Sequence, residues 1–289
     1  MQTLIAKIPF MRFFKLEKTT RILGRDYFGR KSFIIFTPTR SPGWYWGMPN
    51  GNTMEIQPTM LQHNSRRLTL VHNKAKMEFF EHIGALRFIG LSGVMMESSP
   101  WPPYFGRTHE LWEALKPNCV ESGESIRWVT PQTSATWSYA QTYHDLQSRF
   151  TEITPSEEKK LRITITIDYP RLGEYEKTYT IPDIELLEEI FQAHSQGWPS
   201  WLHKPSKLFA AVPFRPSHEC ITWPQEYPRR KALRLFAEHR LLDLLGALSV
   251  LLPPHGMLAG NIRSMCSGHK ADYEVVQHIH TKGGLVPLQ

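Results

Sequence analysis

Residues 231–252, KALRLFAEHRLLDLLGALSVLL, make the longest apolar run at helical spacing in the chain and constrain everything packed around them. Beyond Arg240 the run is apolar almost all round, so the helix it predicts is enclosed by protein rather than laid on a surface. Two residues contradict that environment. His239 and Asp243 stand four apart and project from one face of the helix. A carboxylate in such an interior is strongly disfavoured without a partner, so Asp243 requires a cation. A His and an Asp at this spacing more often form a surface pair or a satisfied core histidine; the hydrophobicity of the helix is what favours a metal ion.

A second polar pair, Glu81 and His82, is flanked by Phe79, Phe80 and Ile83. With Leu86 and Ile89 these apolar residues predict a helix beginning near Glu78, thinned by Gly84 and closed by Gly90. Neighbouring helical residues point about 100° apart, so Glu81 cannot duplicate the role of His82. Both could equally line a solvent-facing side. A third group, Ser267-Gly268-His269, follows a predicted strand; glycine there permits a tight turn that aims His269 into a cleft, and a plain turn with an N-capping serine fits as well. His278 and His280 are assigned to the surface.

The remaining pattern mixes strands and helices. TLIAKI, KSFIIFT, RLTLVH and LSGVMMES read as strands, with Pro38, Pro42, Gly43, Pro49 and Gly51 as punctuation among the first three. THELWEALK predicts a helix capped by Thr108. Polar PNCVESGES places a domain boundary near residue 125. LRITITID and KTYTIP predict strands, and DIELLEEIFQAH a helix whose acidic start suits the helix dipole. HGMLAGNIRS predicts a strand and KADYEVVQHIH a short helix. The expected class is α+β, with two similar domains, 1–125 and 126–289, each a sheet packed with helices and the active site between them.

Composition narrows the setting. A chain of 289 residues can bury a core without covalent staples. Its three cysteines, Cys119, Cys220 and Cys266, show no Cys-x-x-Cys spacing and predict reduced thiols in the cytoplasm. Lys7, Arg12, Lys15 and Lys18 interrupt the N-terminal apolar stretch before a signal or membrane-span length is reached. No stable membrane insertion is expected. The net charge of +7 favours acidic partners such as nucleotides and phosphates. The basic residues are scattered without a nucleic-acid-binding motif, so a phosphate-bearing small substrate is preferred to nucleic acid.

Taken in order, Glu81-His82, His239-Arg240-Leu241-Leu242-Asp243 and Ser267-Gly268-His269 resemble the Glu-His, His-Lys-x-x-Asp and Ser-Gly-His motifs of the zinc-dependent UDP-3-O-acyl-N-acetylglucosamine deacetylases of lipid A biosynthesis. ILGRDYFGRKSFIIFTP looks like the opening strand pair of that family, and WPPYFGRTHELWEALK like its later loop and helix. The resemblance implies a hydrolase of lipopolysaccharide synthesis that removes the N-acetyl group of an acylated nucleotide sugar. It makes His82, His239 and Asp243 the ligands of zinc, an open set that leaves a position for water, with iron as the alternative ion. Glu81 would be the base and His269 the acid toward the leaving amine. Ser195, where the family has threonine, would polarise the amide carbonyl.

Several positions depart from the family pattern. Arg240 replaces lysine, which keeps a positive charge for an oxyanion but cannot give up a proton. Ala247 stands in place of an aspartate that supports the active-site histidine. Tyr27 replaces a histidine, Trp201 lies near an expected substrate-contacting aspartate, and Cys266, in place of a basic residue, offers a stray thiolate. KLFAAVPF and ECITW would supply the wall of an acyl passage. Two alternatives stay open: a paralogue deacetylating a different N-acetyl amino sugar, and a metal-binding regulatory protein with reduced turnover.

Overall fold

The computed structural model describes residues 12–289 other than 27, 65–66, 104–107, 140–148, 170–172, 194, 197–219 and 222–228. In the first half of the chain, alternating apolar residues build strands β1 (Thr20–Arg25), β2 (Lys31–Pro38), β3 (Trp44–Gly47), β4 (Thr53–Glu55) and β5 (Val94–Ser98). Ile34 and Phe36 of β2 point into the core, two residues apart as strand geometry demands. The sheet order is β1-β2-β5-β3-β4, with β5 antiparallel to β2 and parallel to β3.

The second half repeats this plan with β6 (Ala135–Tyr139), β7 (Arg149–Thr154), β8 (Leu161–Tyr169), β9 (Gly173–Ile181) and β10 (Gly260–Met265). Its order is β6-β7-β10-β8-β9, with β10 antiparallel to β7 and parallel to β8. In both sheets the last strand in sequence enters the middle in the same orientation. The class is α+β, with several sheets.

Five α-helices lie among the described residues: α1 (Phe80–Gly84), α2 (Thr108–Leu115), α3 (Ile184–Phe191), α4 (Arg229–Leu248) and α5 (His269–His278). Helix α1 starts later than its apolar spacing predicts. Glu78 is instead the last residue of an antiparallel meander (Leu61–Asn64, Arg67–His72, Ala75–Glu78), paired with Thr69. Arg67, Thr69 and Lys76 all bond its carboxylate, so strand pairing overrides the helical pattern there. Phe79 then turns the chain with a left-handed backbone, φ 58°. Beyond α1 the helix tightens to a 3-10 turn, Ala85–Ile89, closed by left-handed Gly90 as expected.

Helix α4 is buried from Phe236 to Leu248 apart from a partly exposed His239. It crosses α1 where glycines remove both surfaces. A Cβ on Gly246 would stand 1.8 Å from the Glu81 carbonyl oxygen, and one on Gly84 would stand 2.8 Å from the Gly246 carbonyl oxygen. This close approach brings the two polar pairs noted in the sequence together.

Other expectations are refined. Asp183 caps α3 by accepting the Leu186 N–H at 2.9 Å. Thr108 is buried, and its hydroxyl donates to the His82 carbonyl at 3.0 Å, tying α2 to α1. The region expected to be a polar linker contains a strand, Cys119–Glu121, paired with Phe14–Leu16. HGMLAGNIRS divides into Gly256–Leu258, paired with Arg127–Val129, and β10. The C-terminal Leu285–Pro287 adds an unforeseen strand beside Val129–Pro131. TLIAKI lies outside the described residues. No helix among the described residues is long and apolar enough to cross a membrane.

Candidate metal centre

The crossing of α1 and α4 places His82 beside His239 and Asp243, and α5 brings His269 against them as its first residue. Asp243 Oδ1 lies 3.5 Å from His239 Nε2 and 3.6 Å from His82 Nε2. These separations are long for hydrogen bonds. They match what a shared ion requires, since two ligands about 2.0–2.1 Å from a tetrahedral metal stand roughly 3.4 Å apart. The three residues offer donor atoms that all lie within 4.8 Å of one another. The two imidazole rings meet nearly edge to face, with centroids 5.3 Å apart.

The fit to a cation rests on Asp243 itself. Its Oδ1 is buried and has no hydrogen-bond partner among the described residues. A carboxylate oxygen in that state is incomplete unless a cation satisfies it. Nδ1 of His239 is also buried without a partner among these residues, so the ring orientation comes from packing rather than from a carboxylate behind it.

Glu81 and His269 form the other side. Glu81, Asp243 and His269 also bring donor atoms within 4.8 Å, and His269 Nε2 lies 3.8 Å from Asp243 Oδ2. Glu81 is almost wholly buried, and its Oε2 accepts the Leu68 N–H at 2.9 Å, which fixes the carboxylate on its helix.

Burial sets the charges. It pushes Glu81 above the ordinary glutamate range, although His269 and His82 oppose it. It pushes His239 down to about 4 against the pull of Asp243, leaving a neutral imidazole able to bind a metal. Burial would raise Asp243 as well, but His239, His269 and His82 hold it well below the usual carboxylate range. His82 is moved upward: burial disfavours its charged form, and the Asp243 and Glu81 carboxylates outweigh that effect.

Arg240, expected from the sequence at an oxyanion, is bound within the protein. Its guanidinium donates to both carboxylate oxygens of Asp272 and to the Ser267 hydroxyl, so Nε, Nη1 and Nη2 all have partners there. The cause is the fully buried Asp272, which demands a counter-charge that residue 240, one helix step round from His239, can supply. Ala247 is fully buried and supplies no carboxylate to His269.

Ser195 begins a two-residue strand paired with Cys220–Ile221, and its side chain lies outside the described residues. Tyr27, Trp201, KLFAAVPF and the ends of ECITW also lie outside them. Cys266 Sγ is 4.0 Å from the Asp168 carbonyl and belongs to neither metal-ligand group.

Two contributors were missed from sequence. Asp272 was detectable as an acid among Ala271, Val275 and Val276, the same contradiction that marks Asp243. Phe79 lies with its ring centroid 6.3 Å from that of His82, stacked on it, and Trp101 extends the wall 5.9 Å further; no local sequence signal announces that contact. A scan of protein-family models found no match to the chain, and a search of curated proteins found none either.

Proposed function

We propose that the chain is a metal-dependent amidohydrolase that removes the N-acetyl group from a UDP-linked, 3-O-acylated N-acetylglucosamine, as in lipid A biosynthesis. His82, His239 and Asp243 hold the ion, zinc or iron. The observation that carries the reading is the buried Asp243 Oδ1, unpartnered among the described residues and 3.5 and 3.6 Å from two imidazole nitrogens on different helices. The order of the three motifs and the net positive charge support the substrate class.

A divalent metal in this set supplies Lewis acidity and makes water nucleophilic near neutral pH. The Glu81 carboxylate, fixed by the Leu68 N–H, takes the proton from the attacking water. His269 presents Nε2 toward the same space and protonates the departing amine. Ser195 polarises the acyl carbonyl in this scheme, and Arg240, tied to Asp272 and Ser267, contributes positive charge beside the site. The shared strand order of the two five-stranded sheets supports two similar domains divided near residue 125, with the site between them. A cytoplasmic setting follows from the cysteine pattern.

A second reading, a metal-binding regulatory protein with reduced turnover, is favoured by one observation: His269 Nδ1 is buried without a partner among the described residues. Elemental analysis of wild type beside His239→Ala tests the site. The expected result is one equivalent of zinc or iron, lost in the variant. Glu81→Ala should keep the ion while acetate release from the acylated UDP-sugar falls about 10²–10⁴-fold. Absence of metal from wild type after reconstitution refutes the hydrolase; bound metal without acetate release from acylated or simple N-acetylglucosamine substrates leaves the regulatory reading.

A further inference from the structure

Arg240 directly follows one proposed ligand, yet its donors join a different group of buried side chains. Nη1 donates to Asp272 Oδ2 at 2.7 Å, and Nη2 donates to Asp272 Oδ1 and, at 2.9 Å, to Ser267 Oγ. Nε reaches the same hydroxyl at 3.3 Å. Ser267 also accepts from Thr151 Oγ1 at 2.9 Å and lies 2.6 Å from Ser264 Oγ. Asp272 and Thr151 are fully buried, and Ser264 and Arg240 nearly so.

These bonds join α4, β7, β10 and α5 around one turn. Within it Cys266 has φ 44°, a left-handed backbone strained for a residue with a Cβ. Gly268, at the N-cap of α5, has no side chain with which to close the helix. The Ser264–Ser267 contact spans the turn itself, and the remaining restraint comes from outside it, from Arg240, Thr151 and the Thr166 carbonyl that accepts the Cys266 N–H at 2.8 Å. His269 follows immediately, with Nε2 3.8 Å from Asp243 Oδ2.

We infer that Arg240, Asp272 and Ser267 are positioning residues: their buried bridge holds the Cys266–Gly268 turn and the first turn of α5 in fixed register with α4, and so places His269 opposite Asp243. Arginine suits the task because its planar fork grips a carboxylate with two donors while reaching a hydroxyl beside it; the single ammonium of lysine cannot reproduce that geometry. The consequence for turnover rests on the deacetylase reading, whereas the placement of His269 does not.

Imidazole NMR on the full chain, labelled at histidine and held at one pH, tests this directly. His269 signals are assigned by their loss in His269→Gln. In Asp272→Asn and in Ser267→Ala, the His269 signals should move while those of His82 and His239 stay in place. Adding Cys266→Gly to Asp272→Asn should return them toward the wild-type position, because glycine adopts the left-handed backbone unaided. Ser267→Ala keeps the test available if Asp272→Asn does not fold. Unmoved His269 signals, or equal movement of all three histidines, would overturn the inference.

Where wild type releases acetate, Asp272→Asn should lower kcat by up to about a hundredfold with KM little changed; an unchanged kcat would also overturn it. Wild type without turnover would count against the deacetylase, and the NMR result would still decide the positioning role.

Discussion

Asp243 and Asp272 are buried carboxylates on neighbouring helices, and the chain satisfies them in opposite ways. Asp272 is fully buried, with both oxygens held by the Arg240 guanidinium, one of them at 2.7 Å. Asp243 is 6% exposed and faces three imidazole nitrogens at 3.5, 3.6 and 3.8 Å, with no hydrogen-bond partner at Oδ1 among the described residues. Removing either charge from water carries a comparable penalty. A counter-charge built into the chain closes to hydrogen-bond distance. The longer separations around Asp243 suit groups arranged about a cation that comes from outside, so under the proposed function one carboxylate serves structure and the other would serve chemistry.

The strongest way to break the contrast is to remove the internal pair. Asp272→Ala leaves Arg240 buried without its counter-charge and should cost about 3–5 kcal/mol in urea unfolding. A loss below about 1 kcal/mol, the range of an exposed ion pair, would mean that Arg240 readily finds another partner and that the two carboxylates are not opposites.

A pair between Asp243 and a metal would respond to concentration instead. Zinc at about a thousand times its Kd should stabilise wild type by roughly 4 kcal/mol, because it binds the folded state alone. Unfolding with and without zinc should show the gain in wild type and in a folded Asp272→Asn, and none in His239→Ala. An equal gain in His239→Ala would put the ion elsewhere.

The sequence exposed Asp243 more readily than Asp272 because the signal for Asp243 is local. A continuous apolar run made helix α4 plain, and the four-residue spacing to His239 put both side chains on one face. The partners of Arg240 lie 27 and 32 residues away, and only tertiary packing joins them. The start of α1 was missed for a similar reason: Phe79 and Phe80 fit a helical period, but pairing of Thr69 with Glu78 keeps the chain extended to that point. Strands β8 and β9 and helix α3 announce themselves by alternation and by the Asp183 cap. The central insertion of β5 and β10 depends on contacts distant in sequence, which no local pattern records.

Glu78 supplies an intermediate test. It is fully buried like Asp272 and meets Arg67 Nε at 2.6 Å, Lys76 Nζ at 2.6 Å and Thr69 Oγ1 at 2.7 Å. Burial would raise its pKa, but Lys76, Arg67 and Thr69 bring it below the usual glutamate value. Glu78→Gln should therefore cost about 1–3 kcal/mol at pH 7. A lowered folded pKa gives stabilisation that is full above the unfolded value of about 4.3 and is lost as pH falls through the folded one. The gap between wild type and variant in urea should be flat near neutrality and narrow in acid. A gap that widens in acid would contradict the ion-pair account.

The smallest effect should also have the opposite sign. In metal-free protein at about pH 9, well above the ordinary imidazole range, Asp243→Asn removes a buried charge whose Oδ1 has no hydrogen-bond partner among the described residues. The variant should be as stable as metal-free wild type or up to about 1 kcal/mol more stable, since relief from desolvation has little lost bonding to offset it. Zinc should then reverse the order, stabilising wild type alone. If Asp243→Asn instead destabilises the metal-free protein as strongly as Asp272→Ala, the protein already satisfies Asp243 from within. The unpartnered carboxylate would then cease to support a metal, and the deacetylase proposal would lose the observation on which it stands.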